Sequence, residues 1–181
     1  AMMVSGPSDA DLSLLLEGLV RLKRPFRITL FHDGRTLRPE AQKMVAQSDI
    51  AERIEIVPIE EDLSLRLASI QALVCAPVPG RSLSAGGWLP ETVAWALAAG
   101  RPMVAPDTPA LRAFAGGAPE YYEAGHAGQL FECLERVLGD RGLRQEALER
   151  TETQRSRLTW EQGSELVSQI WTTQMMPSEE S

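Results

Sequence analysis

Ser84, Gly86 and Gly87 stand just ahead of Pro90 and Glu91, in a run Ser84-Ala-Gly-Gly-Trp-Leu-Pro-Glu91 that leads a loop of small residues into a helix. Such a junction brings free backbone N–H groups and the positive end of the helix dipole to one place, so the chemistry it offers is anion binding, with phosphate the natural guest. Arg81, a few residues upstream, would add a cation. Glu91 could accept hydrogen bonds from a hydroxyl, and His32, closing an earlier apolar strand, is the other candidate binding residue. Each has a plainer reading as well: glycines for a tight turn, a carboxylate that favours the start of a helix, a histidine that satisfies a loop. No catalytic set accompanies them. The two histidines and two cysteines are scattered, and serine-nucleophile and P-loop signatures are missing, so neither a metal site nor a catalytic residue is expected.

The elements that must position these residues follow from hydrophobic spacing. Thr92-Val-Ala-Trp-Ala-Leu-Ala-Ala99 has almost no polar face, which predicts a helix over 90–99 packed on all sides and stopped by Gly100 and Arg101-Pro102. Met103-Val-Ala105, bounded by prolines, reads as a strand buried on both faces. Upstream, strands are predicted at 2–5, 27–31, 52–57 (edge or near-edge) and 72–76. Helices are predicted from Ser8 or Asp9 through Leu22, at 38–47 and at 62–69. Downstream, Glu120-Tyr-Tyr-Glu123 reads as a strand, 127–138 and about 141–156 as helices, and 160–173 as a closing C-terminal helix. Residues 1–176 are expected to form one domain, with a disordered tail at 177–181. Strands alternating with helices at this density predict an α/β fold, a doubly wound parallel sheet of about five or six strands with 72–76 in its interior. Ligands of such sheets bind outside the carboxyl ends of the strands, where His32, Arg81, Ser84 and Gly87 would lie.

One stretch carries a resemblance. Trp95-Ala-Leu-Ala-Ala-Gly-Arg-Pro-Met-Val-Ala105, followed by Pro106-Asp-Thr-Pro-Ala-Leu-Arg112, resembles the C-terminal, donor-binding half of glycosyltransferases with the GT-B fold, especially glycosyltransferase family 4. Those enzymes carry a glycine-rich loop, a helix ending Glu-Ala-Met-Ala-Ala-Gly, and then Arg-Pro-Val-Val-Ala. Leu158-Thr-Trp160 is similar to the signal before their final helix, and the likeness runs over roughly residues 10–173. It implies a Rossmann-like fold, a nucleotide-sugar or nucleoside diphosphate as ligand, and an acceptor-binding N-terminal domain or a partner protein. No cofactor is implied beyond the nucleotide-sugar itself.

Composition sets the outer limits. With 181 residues, 44% of them apolar, the chain can fill a sizeable core without staples. The formal net charge of −7 argues against general affinity for nucleic acid. The cluster of Arg21, Lys23, Arg24 and Arg27 is expected to serve a helix C-terminus. Cys75 and Cys133 read as small core residues of a reducing compartment, no membrane-spanning run is found, and a cytoplasmic protein is expected. No signal peptide is read ahead of Met2, and Ala1 reads as a remnant of expression.

The departures from the family fall where its chemistry lies. Its members carry two glutamates eight positions apart. Counted back from Gly100 without gaps, those positions are Trp95 and Gly87, neither of which can accept a hydrogen bond from a sugar through its side chain. Its arginine and lysine after the first strand, which neutralise the departing diphosphate, are replaced by Ser5-Gly-Pro-Ser-Asp-Ala-Asp11, which holds two carboxylates and no cation. Three readings stand: a donor half whose partner domain lies elsewhere, a pseudoenzyme serving as a protein-binding scaffold, and a nucleotide or sugar sensor without turnover. In each, the chain alone is expected to transfer no sugar.

Overall fold

The computed structural model describes residues 2–5, 9–32, 39–58, 63–75, 91–159, 161, 162 and 164. Along the chain run β1 (Met2–Ser5), α1 (Asp9–Val20), β2 (Ile28–His32), α2 (Pro39–Gln47), β3 (Ile54–Pro58), α3 (Leu63–Ser69) and β4 (Ala72–Val74). They are followed by α4 (Glu91–Ala98), β5 (Met103–Pro106), α5 (Pro109–Ala115), β6 (Glu120–Tyr122), α6 (Ala127–Gly139) and α7 (Arg141–Arg157). All six strands pair in parallel in the order β3-β2-β1-β4-β5-β6, so the expected doubly wound parallel sheet is present and β4 lies inside it.

Burial explains which strands are central. Ala72, Leu73 and Val74 in β4 and Met103 to Pro106 in β5 are buried without interruption, the pattern of strands covered on both faces. β3, at one edge, alternates: Glu55 is exposed between half-buried Ile54 and Ile56. Side chains of successive strand residues enter opposite layers. Ile28, Leu30, Ala72, Val74, Val104 and Tyr122 pack with α1, α2 and α6, whereas Val57, Leu73, Cys75, Met103 and Ala105 pack with α3, α4 and α5. Each fully buried leucine, such as Leu15 or Leu30, contributes about 1.5–3 kcal/mol of apolar burial.

Two glycines set the close approaches. A Cβ at Gly18 would meet the Ala127 carbonyl oxygen at 3.3 Å, so a side chain there would press α1 a few tenths of an ångström away from the start of α6. Gly100 has φ +60°, the left-handed conformation that ends α4 and turns the chain into β5.

The structure departs from the sequence expectations at three points. α4 is not packed on all sides, because Ala94 and Ala98 are exposed while Val93, Ala96 and Leu97 are buried; its uncovered face carries methyl groups that lose little in water. A helix unforeseen from the prolines, α5, begins at Pro109, where Thr108 caps it by accepting from the Leu111 N–H at 3.3 Å. Arg24 does meet a helix C-terminus, but that of α6: it donates to the Leu138 carbonyl at 3.0 Å and pairs with Glu135 at 2.8 Å. The expected closing helix at 160–173 and the tail at 177–181 lie outside the described residues.

α7 packs against α4 and α6 at the amino ends of β5 and β6. There Glu120, the first residue of β6, takes ion pairs from Arg150 and, at 3.1 Å, from Arg136. Buried Thr151 donates to the Ala147 carbonyl at 2.8 Å. This leaves the opposite, carboxyl end of the sheet as the side that α7 does not cover.

Candidate functional site

The strand order reverses between β1 and β4: from β1 the chain builds outward through β2 and β3, then returns to build β4, β5 and β6 on the other side. Connections leaving the carboxyl ends of two such neighbouring strands diverge to opposite faces and open a crevice between them. Ser5 closes β1 on one wall and Cys75 follows β4 on the other. α4 packs on β1, β4 and β5, so its first residue opens at the same end.

Of the residues singled out in the sequence, two have a described backbone. His32 is the last residue of β2, paired with Pro58 of β3, and Glu91 is the first residue of α4. The topology thus brings both to the carboxyl end of the sheet, on strands and connections either side of β1. Arg81, Ser84, Gly86 and Gly87 belong to the segment that links β4 to α4 and lie outside the described residues. Trp95, at the position where the resembled family has its second glutamate, is half-buried and packs against the core layer formed by Val93, Leu97 and Leu111.

Two carboxylates at this end, Asp107 and Glu123, are each held by a neighbouring side chain. Directly after β5, Asp107 accepts from Arg112 through both oxygens, at 2.7 and 2.8 Å, and the Arg112 guanidinium stacks on the Tyr121 ring 4.0 Å from its centroid. The hydrogen bonds from Arg112 hold the Asp107 carboxyl below the usual carboxylate range. Tyr121 in turn donates towards the Gly116 carbonyl at 2.8 Å, and its burial raises the phenol's pKa. After β6, the Gln129 side chain accepts from the Glu123 N–H at 2.7 Å and donates to the Glu123 carboxylate at 3.3 Å. His126 Nδ1 accepts from the Gln129 N–H at 3.2 Å, which caps α6. Both groups reinforce the rim of the sheet. The sequence signalled the first only as a proline-and-arginine segment; its aspartate, arginine and tyrosine come together through the pairing of β5 with β6.

One contact reaches the crevice wall itself. The buried Tyr122 hydroxyl, from β6, donates to the carbonyl of Cys75 at 2.8 Å, spanning β5 to reach the end of β4. No group of three His, Cys, Asp or Glu residues that could hold a metal ion is found among the described residues. A separate open cleft of about 490 Å3, lined among others by Glu146, Arg150, Thr153 and Arg157, lies at the opposite end of the sheet beneath α7.

The architecture has close counterparts among solved structures. A glycosyltransferase from Rickettsia africae superposes with a TM-score of 0.75 at 14% identity, covering 98% of this chain and 48% of that one. The Anabaena protein HepE, in complex with UDP-glucose, gives 0.70 at 12% identity over 95% of this chain and 48% of its own. The catalytic domain of cholesterol-alpha-glucosyltransferase from Helicobacter pylori gives 0.62 at 17% identity, with 87% and 98% covered. The chain has the fold of one half of a GT-B glycosyltransferase. It spans about half the length of the Rickettsia and Anabaena proteins. No family model and no curated protein sequence matches it. Among the described residues no helix is long and apolar enough to cross a membrane.

Proposed function

We propose that residues 1–176 form the donor side of a GT-B glycosyltransferase, a domain that takes the nucleoside diphosphate of a nucleotide-sugar into the crevice between β1 and β4. The observation that carries the reading is the switch in strand order beside β1, in a fold shared with HepE, whose structure holds UDP-glucose. In this reading Ser84, Gly86 and Gly87 present backbone N–H groups to the phosphates at the start of α4. Arg81 supplies charge, and Glu91 and His32 flank the sugar or ribose. The acceptor would be bound by an N-terminal domain or by a partner protein, and two buried cysteines not joined in a disulfide, Cys75 and Cys133, accord with a cytoplasmic setting.

A second reading has an observation of its own. Half-buried Trp95 packs against the core where the resembled enzymes hold a ribose-binding glutamate, which favours a catalytically degenerate domain that serves as a protein-binding scaffold. The two readings agree that the chain alone transfers no sugar. They differ on binding.

Titration with uridine and guanosine diphosphates, followed by ligand-observed NMR, separates them. Each absent charge-assisted hydrogen bond from the family's arginine and lysine forfeits about 1.5–3 kcal/mol, so losing two takes a micromolar site to roughly millimolar. Wild type is expected to bind in the millimolar range, with Gly87→Val weaker still because its side chain crowds the phosphate turn. Binding indifferent to Gly87→Val would remove that turn from the site, and no binding at all would favour the scaffold.

A further inference from the structure

The contact between Tyr122 and Cys75 answers a defect in the sheet. In a parallel ladder each residue donates its N–H to one residue of the neighbouring strand and accepts at its C=O from the residue two further on. Between β4 and β5 the rungs run from Leu73 N–H to Pro102 O and from Cys75 N–H to Val104 O, both 2.9 Å. The next rung would be the N–H of residue 106 donating to the Cys75 carbonyl. Residue 106 is Pro106, which has no N–H to give. The register of β5 with β6 sets Tyr122 opposite Pro106, and its hydroxyl, 1% exposed with the rest of the side chain, supplies the missing donor at 2.8 Å.

We propose that Tyr122 is a positioning residue of the β1/β4 crevice: its hydroxyl replaces the rung that Pro106 cannot make and holds the Cys75 carbonyl, at the mouth of β4, in place for ligand binding. Pro106 and Tyr122 are a compensating pair. The backbone that forms this crevice wall is fixed by a side chain two strands away, although neither residue faces the ligand. This inference rests on the nucleotide reading for its ligand arm alone; the replacement of the rung can be measured without ligand.

The test compares wild type, Tyr122→Phe, Pro106→Ala and the double variant, each by residue-resolved amide exchange and by titration with uridine diphosphate. Tyr122→Phe removes only the hydroxyl. Exchange at the Cys75 amide should rise about tenfold with the core amide of Leu30 unchanged, and affinity should fall about threefold to tenfold, the range a single net hydrogen bond allows. In the double variant the new N–H at position 106 restores the rung. That amide should itself be protected, and Cys75 protection and affinity should both return to within about twofold of wild type.

A merely structural tyrosine predicts something different: faster exchange throughout the core and no rescue by Pro106→Ala. Unchanged protection at Cys75 in Tyr122→Phe, failure of the rescue, or restored protection with affinity still lost would each overturn the proposal. Wild type that shows the exchange pattern but binds no uridine diphosphate would overturn the nucleotide reading and the ligand half of the proposal, and leave the compensating pair standing.

Discussion

Cys133 sits buried on α6, its thiol donating to the Tyr121 carbonyl at 3.4 Å. Burial pushes its pKa up to about 11, and the nearby charge of Glu120 adds to the shift. Because the folded value lies above the unfolded one, the thiol's contribution to stability is complete below the unfolded value of about 8.5 and is lost as pH rises towards about 11. Cys133→Ala should therefore be less stable than wild type near neutrality, and the gap in urea midpoint should narrow across that alkaline window. A gap that stays constant with pH would show that the thiol's ionisation is not coupled to folding. Trp95 is the residue whose character was plainest in the sequence, since an indole at a glutamate's position announces itself; its place against the core confirms that the side chain is used for packing. Tyr122 was opaque for the opposite reason. Its partner is defined by the register of three strands, and no local pattern of residues encodes register.

Among the elements, the junction of α6 and α7 turns on one side chain. The Asp140 N–H closes α6 on the Arg136 carbonyl at 3.2 Å, and its carboxylate opens α7 by accepting from the N–H groups of Gly142 and Leu143 at 2.7 and 3.1 Å. Asp140→Ala should cost about 1 kcal/mol in denaturant unfolding with an unchanged m-value, and Asp140→Asn, which keeps the acceptor, should lose only a small part of that. Equal losses in the two variants would place the effect in charge and not in capping. This junction was legible because Asp140 and Gly142 interrupt two apolar patterns. α5 was not, since Pro106-Asp-Thr-Pro109 reads first as a break, and only Thr108 ahead of a proline at the first helical position hints at a start. The exposed Ala94 and Ala98 of α4 were hidden as well: a helix apolar all round does not say which face its neighbours leave uncovered. The strands, with their unbroken apolar runs between prolines and glycines, gave the sheet away. Alternation of strand and helix admits few topologies, which made a parallel, doubly wound sheet legible, but the order of its strands, and with it the switch beside β1, was not.

The whole molecule presents two candidate places for a ligand at opposite ends of one sheet. One is the crevice where the strand order switches, at the end of the sheet where β2 ends in His32 and α4 begins at Glu91; the other is the cleft beneath α7. The second is an open cleft of about 490 Å3, yet its Arg150 is committed to Glu120 and it lies at the amino ends of the strands. Ligands of open α/β sheets bind outside the carboxyl ends of the strands, which favours the first. A domain spanning about half of the Rickettsia and Anabaena proteins, with net charge −7 and two carboxylates, Asp9 and Asp11, soon after β1, should bind a dianion weakly and at one place. The most direct measurement is an amide shift map of the wild-type chain titrated with uridine diphosphate to millimolar concentration. The account predicts the largest shifts at Ser84, Gly86, Gly87 and Glu91, smaller ones at Ser5, His32 and Cys75, and none at Ala72, Gly117 and Thr153. Shifts centred on Gly117, Ala118 and Thr153, or none anywhere, would contradict it.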